Sequence, residues 1–428
     1  MKPGSLFTIF FLAASLEAGC TNKPVPEEPV PPVEQGYVTL VSGGKASAVI
    51  RFQQSLSSSA GTFAKDIQKA TGAQLETITP WAPVKEGVPE IVIGDIPSLG
   101  EIIDSAKKEL RHGYVIRAVG QRVLIFGTDD AWTVLGLEYF ASKVLTNPAY
   151  CKEGTFRLPE KYSQKQDSAD PQLIAALLSK GRKFDLVPVL VGTCPREGVF
   201  TVAQGAASDG EYVYFTMKGK EDSDTHDSQV CVYQYKLSPF GKVGVSETFN
   251  GHHANDMTYD SKGRRVLVVH GSGASACLTA IPTDPILGKP ELITTSLGIG
   301  GITYNAKRDI YGITQGGSKY QTAGADFKMI KNFGRTDTMK STYTAQGMGS
   351  DDSYVYFPMS PNSNSPEKVN FLVVYDWEGK YVGNLRIPLN LESESMFYAA
   401  GEYYVNFYNK AAALYRVYPR LTYQPQVK

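Results

Sequence analysis

The chain has 428 residues with 43 basic and 43 acidic side chains, which gives a formal net charge of +0. This length is sufficient for two or three domains with substantial cores. Because phosphate binding requires a basic excess or a clustered basic face, the balanced charge excludes nucleic acid as the expected partner. The 25 tyrosines and the aromatic content of 11% favour β-strands, and aromatic side chains also suit surfaces that stack on sugar rings.

Residues 1–20 have the pattern of a secretory signal. Lys2 precedes the apolar run "LFTIFFLAASL", which is too short to span a bilayer, and "EAGC" follows it. This ending resembles a bacterial lipobox, so we expect cleavage before Cys20 and lipidation of its thiol. Glu17 stands where the usual pattern has Leu, and an ordinary cleaved signal is the alternative. Residues 21–35, rich in Pro and Glu, predict an extended tether.

The remaining cysteines are too widely spaced for a cysteine metal site. They are Cys151, Cys194, Cys231 and Cys277, with no CxxC pair among them. Buried free thiols are the expected state, and a Cys151–Cys194 disulfide is the alternative that export permits.

Strands and helices alternate in residues 36–160. "GYVTLV" and "EIVIGD" predict strands, "HGYVIRAVGQRVLIFG" predicts a hairpin, and "GTFAKDIQKATG" predicts a helix that stops at Gly72. "SLGEIIDSAKKEL" predicts a helix with a capping box formed by Ser98 and Glu101, and "DDAWTVLGLEYFASKVL" a helix capped by Asp129 or Asp130. This order predicts a small α/β sandwich domain.

Three segments of this domain carry a family resemblance. "IVIGDIPS", "HGYVIRAVGQRVLIFGTDD" and "WTVLGLEYFASKVL", in that order, resemble the α/β accessory domain that precedes the catalytic barrel of α-glucuronidases and β-hexosaminidases. In those enzymes the catalytic carboxylates lie in the barrel, and no segment here has its pattern, so the resemblance supplies no catalytic residue. It implies a setting among carbohydrate-active modules.

Residues 185–428 contain a repeat. "AQGAASDGEYVYFTM", "ANDMTYDSKGRRVLVV", "IGGITYNAKRDIYGIT", "AQGMGSDDSYVYFPM" and "SESMFYAAGEYYVNFY" align, and their second residues are 45 to 51 positions apart. This period, with short strands and turn residues at fixed offsets, predicts an all-β propeller of five blades. The last unit lacks a clear fourth strand, which "KFDLVPVLVGT" from Lys183 can supply. In the five-bladed arrangement, residues 161–184 are a linker. The alternative is a propeller of six blades, with a degenerate blade in residues 160–195.

The blade starts "HANDMTYD" and "AQGMGSDD" resemble those of bacterial surface β-propeller proteins, at the level of the repeat and not of one activity. A propeller brings the starts of its inner strands to one mouth of the central channel, and converging polar side chains there are the default ligand site. The predicted ligand-binding residues are Gln204, His253, Asn255, Asp256, Gln346 and Glu394.

Several functions fit this mouth. Amide and carboxylate groups suit hydrogen bonding to sugar hydroxyls. If the protein is an enzyme, His253 with Glu392 and Glu394 supplies acid–base chemistry for a glycoside hydrolase or polysaccharide lyase. We expect Glu392 and Glu394 to point the same way, since they are two residues apart in an extended segment. Polar groups that only close the strand ends and bind channel water are the structural alternative.

A metal at His252, His253, Asp256 or His270 is the weakest alternative, because adjacent histidines on a strand point opposite ways and His270 lies on the next strand. A hard cation near Glu392, Glu394 and Asp256 is a further alternative. We expect no metal and no cofactor. The sequence thus predicts an α+β multidomain, exported, lipid-anchored protein that binds or handles oligo- or polysaccharides at the bacterial cell envelope. It would lie at the outer membrane or a periplasm-facing membrane, touching the bilayer through the lipid alone. A glycan-active enzyme is one alternative, and a scaffold with envelope protein partners is another.

Overall fold

The structure is a computed structural model that describes residues 36–83, 86–169, 171–219, 228–271, 276–284, 287–315 and 319–425. The predicted signal, Cys20 and the predicted tether lie outside the described residues. Tyr37–Lys428 form one compact unit, which is mostly β. Among the described helices, none is both long and apolar enough to cross a membrane.

The N-terminal region contains two sheets and three helices. Its strands are β1 (Tyr37–Ser42), β2 (Lys45–Ala46), β3 (Val49–Phe52), β4 (Glu76–Ile78), β5 (Glu90–Ile93), β6 (Gly113–Val119), β7 (Arg122–Gly127), β8 (Cys151–Lys152), β9 (Thr155–Pro159) and β10 (Ser163–Asp167). Its helices are α1 (Ser57–Thr71), α2 (Gly100–Glu109) and α3 (Asp130–Tyr139). One sheet has the strand order β10-β6-β7-β5-β3-β4 and the other β2-β1-β9-β8. The first is mixed: β4, β3, β5 and β7 are parallel, and β6 and β10 are antiparallel additions.

Local sequence signals set most of these boundaries. Helix α1 ends at Gly72, whose φ of 78° lies in the left-handed region that glycine adopts without strain. The Asp129 carboxylate accepts the backbone N–H of Trp132 at 3.0 Å, so the predicted cap of α3 is confirmed. The predicted capping box of α2 is wrong: a short 3₁₀ turn over Pro97–Leu99 precedes the helix, and no side chain caps it.

Residues 161–184, predicted as a linker, contain regular structure. Strand β10 pairs antiparallel with β6, and helix α4 (Leu173–Ser179) buries Leu173, Ile174 and Leu177. The sequence "SQKQD" lacks the apolar residues by which a strand is recognised, because β10 lies at the sheet edge and nearly all its side chains are exposed. The polar composition that suggested a linker is therefore that of an edge strand.

Five antiparallel sheets follow in the described part of residues 185–425. Strand β11 (Asp185–Cys194) comes first in sequence. Sheet 1 contains β12 (Phe200–Ser208), β13 (Tyr212–Gly219), β14 (Gln229–Lys236) and β15 (Gly241–Val245), with β16 (Phe249–Asn250) paired to β14. Sheet 2 contains β17 (Asp256–Asp260), β18 (Arg265–Val269), β19 (Cys277–Pro282) and β20 (Glu291–Thr294). Sheet 3 contains β21 (Gly301–Asn305), β22 (Ile310–Gln315), β23 (Lys319–Ala323) and β24 (Met329–Asn332).

The last two sheets differ at their first strands. In sheet 4, β25 (Tyr343–Ala345) and β26 (Gly349–Ser350) both pair with β27 (Tyr354–Pro361), followed by β28 (Asn370–Asp376) and β29 (Tyr381–Ile387). Sheet 5 contains β30 (Glu392–Ala399), β31 (Glu402–Tyr408) and β32 (Ala412–Arg420), with β11 as its fourth strand. The predicted pairing of the segment after Lys183 with the last repeat is thus confirmed, from Asp185 opposite Arg420 to Cys194 opposite Ala412.

The first strands of the five sheets contact one another in a closed order. Strand β12 contacts β17, β17 contacts β21, β21 contacts β26, β26 contacts β30, and β30 returns to β12. Between the sheets lie separate apolar clusters, for example one around Phe215 and Tyr404 and another around Phe357 and Tyr375. The described part of residues 160–195 forms no sheet of its own, as a sixth blade would require. Strand β10 belongs to the mixed N-terminal sheet, β11 belongs to sheet 5, and α4 lies between them in the chain.

An aspartate at the end of the first strand explains the sequence repeat. Asp209 accepts the N–H groups of Glu211 and Tyr212 in the turn, and its other oxygen accepts the Tyr214 hydroxyl at 2.7 Å. Asp351 does the same in sheet 4, where the Tyr356 hydroxyl donates at 2.6 Å. Each such residue closes the turn into the second strand and fixes a buried tyrosine of that strand.

The four cysteines in the described residues are free. Cys194 and Cys231 are buried, whereas Cys151 and Cys277 are partly exposed. Burial raises the pKa of both buried thiols to about 12. Cys194 and Cys231 thus have the expected state of buried free thiols, whereas Cys151 and Cys277 are free but not buried, and the described residues contain no Cys151–Cys194 disulfide.

Candidate functional site

Side-chain hydrogen bonds join neighbouring sheets where their first strands begin. The Asn406 amide of sheet 5 donates to the carbonyl of Gln204 in sheet 1 at 2.7 Å. Asn255 of sheet 2 donates to the carbonyl of Gly300, just before sheet 3, at 2.5 Å. The Ser360 hydroxyl of sheet 4 lies 2.9 Å from that of Ser393 in sheet 5. We call this end of the sheets the mouth, and two of the predicted residues, Gln204 and Asn255, take part in these contacts.

Asp256 is the most central of these side chains. It is fully buried, and its Oδ2 accepts the backbone N–H groups of Ile302 at 2.8 Å and Met348 at 2.9 Å. One carboxyl group thus ties sheet 2 to sheets 3 and 4. Its Oδ1 has no hydrogen-bond partner in the described structure, and burial raises the pKa of this carboxyl well above its ordinary value.

Glycines surround Asp256 because little space remains there. A Cβ at Gly347 would lie 2.4 Å from Asp256 Oδ1, and one at Gly205 would lie 2.6 Å from the backbone of Asp256. A Cβ at Gly301 would come within 3.2 Å of Oδ2. Asp256, predicted to bind a ligand, is instead enclosed by the strands that it holds together. Its role in this structure is to pack and connect three sheets.

An exposed amide–carboxylate pair lies beside this core. Gln346 Nε2 donates to Glu392 Oε1 at 2.6 Å, which links sheet 4 to sheet 5. Gln346 is half-buried and Glu392 is exposed, so both groups meet solvent at the mouth. An amide and a carboxylate held together present donors and acceptors in a fixed arrangement, as recognition of hydroxyl groups requires.

The two glutamates do not share one environment, contrary to expectation. Glu392 is exposed, but Glu394 is only 4% exposed, and its backbone carbonyl accepts the N–H of Gly347 at 2.8 Å. The register of β30 against β31 shifts between Ser393 and Ser395, so a β-bulge at Glu394 breaks the alternation. The two-residue spacing predicted a common face because it assumed a regular strand.

His253 lies in a strained crossing between sheets 1 and 2. The residues on either side, His252 and Ala254, have φ values of 50° and 53°, which non-glycine residues adopt at a cost. The N–H of His253 donates to the carbonyl of His270 at 3.0 Å, and the side chain is half-buried. The crossing therefore holds the His253 backbone in one conformation at the mouth.

The remaining predicted residue, Gln204, is buried and only 6% exposed. It sits in a bulge of β12, since the register against β13 shifts between Ala203 and Ala206. The N–H of Ala206 donates to the Ser395 hydroxyl at 2.7 Å, which closes the contact between sheets 1 and 5. The mouth therefore has bulged first strands in sheets 1 and 5.

Sequence reasoning missed Lys218, a buried lysine near the same end of sheet 1. It is 4% exposed and stands opposite Val202 near the start of β12. Thr216, two residues earlier on the strand, contacts the carbonyl of Ala254 at 3.4 Å, so this strand end lies beside the crossing that carries His253. The signal available in the sequence was the lysine itself, since it interrupts a mostly apolar second strand, "YVYFTMKG".

The described residues contain no group of three or more His, Cys, Asp or Glu side chains that could hold a metal ion. His252 and His270 lie close together, with ring centroids 5.6 Å apart. His270 is buried, and its Nε2 lies 2.8 Å from the Thr279 hydroxyl. Burial, with a contribution from His252, lowers the pKa of His270 to about 4.

No family model matches the chain, and no curated protein matches it. Among solved structures, it is similar to a GH43 β-1,3-galactosidase with 12% identity and a TM-score of 0.38, over 54% of this chain and 61% of the galactosidase. The chain thus spans about three fifths of that protein's length. A catalytically inactive virginiamycin B lyase from Staphylococcus aureus, solved with quinupristin, matches with 14% identity and a TM-score of 0.31, covering 52% of this chain and 82% of the lyase.

A nidogen/laminin complex also matches, with 12% identity and a TM-score of 0.33, over 53% of this chain and 86% of that one. The chain is therefore similar to proteins of several unrelated activities. At these identities and TM-scores the similarities do not assign an activity or a substrate.

Proposed function

We propose that the five antiparallel sheets are the blades of a five-bladed β-propeller and that its mouth binds an oligosaccharide. The observation that carries the proposal is the exposed pair of Gln346 and Glu392, joined at 2.6 Å across the seam between sheets 4 and 5. Paired amide and carboxylate groups hydrogen-bond adjacent sugar hydroxyls, and their mutual bond keeps both side chains in place before the ligand arrives.

The environments of the two glutamates favour binding over hydrolysis. A glycoside hydrolase needs two carboxyl groups about 5–10 Å apart that both face the scissile bond. Here Glu392 faces solvent, whereas Glu394 is buried beneath the bulge of β30. The two carboxylates therefore do not present a matched pair to a substrate at the mouth.

A glycan-active enzyme is the second candidate, and the strained backbone around His253 supports it. Left-handed non-glycine residues on both sides of one histidine cost folding free energy, and such strain is concentrated at functional sites. In this alternative, His253 acts as the general base of a lyase and the exposed Glu392 assists it. For this alternative we expect wild type to form product and His253→Ala to form none.

We propose that this function is carried out at the bacterial cell envelope. Lipidation at Cys20 would anchor the chain, and residues 21–35 would hold it off the membrane. The N-terminal region would be an α/β accessory domain of the kind found beside carbohydrate-active modules. Its mixed sheet and three helices support that proposal, as do the segments that carry the resemblance.

Residues 21–428 can be tested against a panel of plant and host polysaccharides. Retention in affinity gels would be measured together with new reducing ends and with the absorbance of unsaturated uronates. We expect retention on at least one polysaccharide and no product. New products from any one polysaccharide, with or without retention, would favour the enzyme. The absence of both, with a partner recovered by crosslinking, would favour the envelope scaffold.

A further inference from the structure

A concave site lies where α4, sheet 4 and the end of sheet 5 meet, and none of the predicted mouth residues lines it. It encloses about 880 Å³, within the range of about 300–1,000 Å³ that small-ligand sites occupy. We call it the groove. Its lining includes Arg182, Lys183, Phe184, Asp185, Asn384 and Arg420.

The charged side chains of the groove have a positive excess: once Arg182 is balanced by Glu138, the cations Lys183 and Arg420 stand against the single carboxylate of Asp185. Arg182 is neutralised by Glu138, since its Nη1 donates to Oε2 at 3.0 Å. Asp185 also lines the groove: it lies 3.8 Å from Arg386, which is bonded more closely to Glu367 at 2.9 Å, and it stands opposite Arg420 in the strand pair. Lys183 and Arg420 remain, and neither has an ion-pair partner among the described residues. Both are exposed at the surface of the groove, which therefore favours an anion.

The remaining lining suits a ring-shaped ligand rather than a bare anion. Phe184, which lies between Lys183 and Asp185 in the chain, is half-buried and packs against two apolar clusters, and Leu178 and Val382 are half-buried members of the same lining. Thr422 and Gln424 add exposed hydrogen-bonding side chains. A single phosphate would use only a small part of this volume. An aromatic side chain with flanking cations and hydroxyl or amide groups fits a sugar that carries acidic substituents.

The pairing of β11 with β32 in sheet 5 fixes the position of these groups. Asp185 is the first residue of β11 and pairs with Arg420, the last residue of β32. Lys183 and Phe184 enter this pair from α4, and Leu421 leaves it into the apolar core of the N-terminal region. The cations therefore sit on paired strand ends, and the groove forms only when the N- and C-terminal parts of sheet 5 have joined.

We propose that the groove is a binding site for a negatively charged oligosaccharide, with Lys183 and Arg420 contacting its carboxylate or sulfate groups. This site is separate from the mouth, and it stands whether or not the mouth binds sugar. Binding at the groove would be sensitive to salt, because exposed charges are screened over about 10 Å at 0.1 M ionic strength.

The test uses residues 21–428 and three hexasaccharide-sized probes: oligogalacturonate, a sulfated galactan oligosaccharide and a neutral gluco-oligosaccharide. Titration calorimetry at low and high salt would give the dissociation constants. We expect at least one anionic probe to bind and the neutral probe not to bind this site. The two anionic probes distinguish carboxylate from sulfate as the source of the charge.

The double variant Lys183→Ala/Arg420→Ala should weaken anionic binding by at least about tenfold, and Phe184→Leu should weaken it with the charges intact. The matched control, Lys161→Ala/Arg111→Ala, removes the same charge from exposed positions outside the groove. Circular dichroism would confirm that each variant is folded. Equal weakening in the control, or unchanged binding in the groove variant, would overturn the proposal.

A mouth variant, Gln346→Ala/Glu392→Ala, separates the two proposals. If anionic binding is lost there and kept in the groove variant, the ligand occupies the mouth, and the groove proposal is wrong. If it is kept in the mouth variant and lost in the groove variant, the groove is the site. Failure of every anionic probe to bind would also overturn the groove proposal, without bearing on neutral sugars at the mouth.

Discussion

Asp256 shows how one side chain connects three sheets. Its Oδ2 accepts two backbone N–H groups from different first strands, and the adjacent inner positions of other sheets are glycines that leave room for it. Removing the carboxyl group leaves both N–H groups without an acceptor inside a close-packed region. The cost of such unsatisfied groups exceeds the net value of an ordinary hydrogen bond.

We expect Asp256→Ala to lower the free energy of unfolding by about 3 kcal/mol, measured by urea denaturation at pH 7. Asp256→Asn keeps an acceptor at the Oδ2 position and should cost much less. Since the folded-state pKa of Asp256 is raised, wild-type stability relative to Asp256→Asn should fall as pH rises above about 4. Equal losses in the two variants would show that the two N–H groups do not depend on this acceptor.

His270 provides a second pH-dependent contribution at the residue scale. Its folded-state pKa of about 4 is below the ordinary value of 6.5, because burial disfavours the charged ring. As pH falls from 6.5 to 4, the unfolded chain binds a proton there and the folded chain does not. Stability should therefore fall over this window by on the order of 2 kcal/mol.

The measurement is the urea midpoint of wild type and His270→Gln between pH 7 and 4. The glutamine can still bond to Thr279, and the variant should lose this part of the acid dependence. His112→Gln, which lies in the N-terminal region, is the matched control. If the His270→Gln profile parallels that of wild type, the histidine is not the group responsible.

At the scale of elements, the repeat made the strands of sheets 1 to 5 predictable. Its aspartates close the turns after the first strands, and the fourth strand of sheet 5 followed from the missing partner of the last unit. The bulge at Glu394 was not predictable, because "ESESMFYA" contains no glycine or proline to mark a shift of register, whereas Gly205 beside Gln204 was a signal for the other bulge. The burial of Asp256 and Glu394 follows from contacts between sheets, which a single repeat does not contain.

Replacing either of two glycines by alanine should change the free energy of unfolding, in opposite directions at the two positions. At Gly347, a Cβ would lie 2.4 Å from Asp256 Oδ1 and 2.6 Å from the carbonyl of Glu394, so Gly347→Ala should destabilise by about 2 kcal/mol. At Gly61, within α1, a Cβ meets nothing within 4 Å, so Gly61→Ala should stabilise by about 0.5–1 kcal/mol. Thermal and urea unfolding would measure both changes. A neutral Gly347→Ala would mean that the inner strands can move apart.

At the scale of the whole molecule, the C-terminal segment joins the last sheet to the N-terminal region. Tyr423 is 1% exposed, and its hydroxyl donates to Asp66 Oδ2 at 2.5 Å. Its ring packs edge-on against Phe63, with centroids 6.0 Å apart. Folding of the sheets should therefore be coupled to folding of the N-terminal region.

We expect wild type to unfold in one transition and Tyr423→Ala to lose about 4 kcal/mol and unfold in two steps. Tyr423→Phe, which keeps the ring, should lose only about 1 kcal/mol. Calorimetry and denaturation followed by near-UV circular dichroism would separate the steps. A single sharp transition in Tyr423→Ala would show that other contacts couple the two parts.

In the proposed function, the mouth recognises a sugar through the Gln346–Glu392 pair. The most direct measurement is the dissociation constant of the polysaccharide fragment that wild type retains, compared between wild type and Gln346→Ala/Glu392→Ala. A folded variant should bind about tenfold or more weakly, while Lys161→Ala/Arg111→Ala binds like wild type. Unchanged binding in the mouth variant would place the sugar elsewhere and overturn the proposed function.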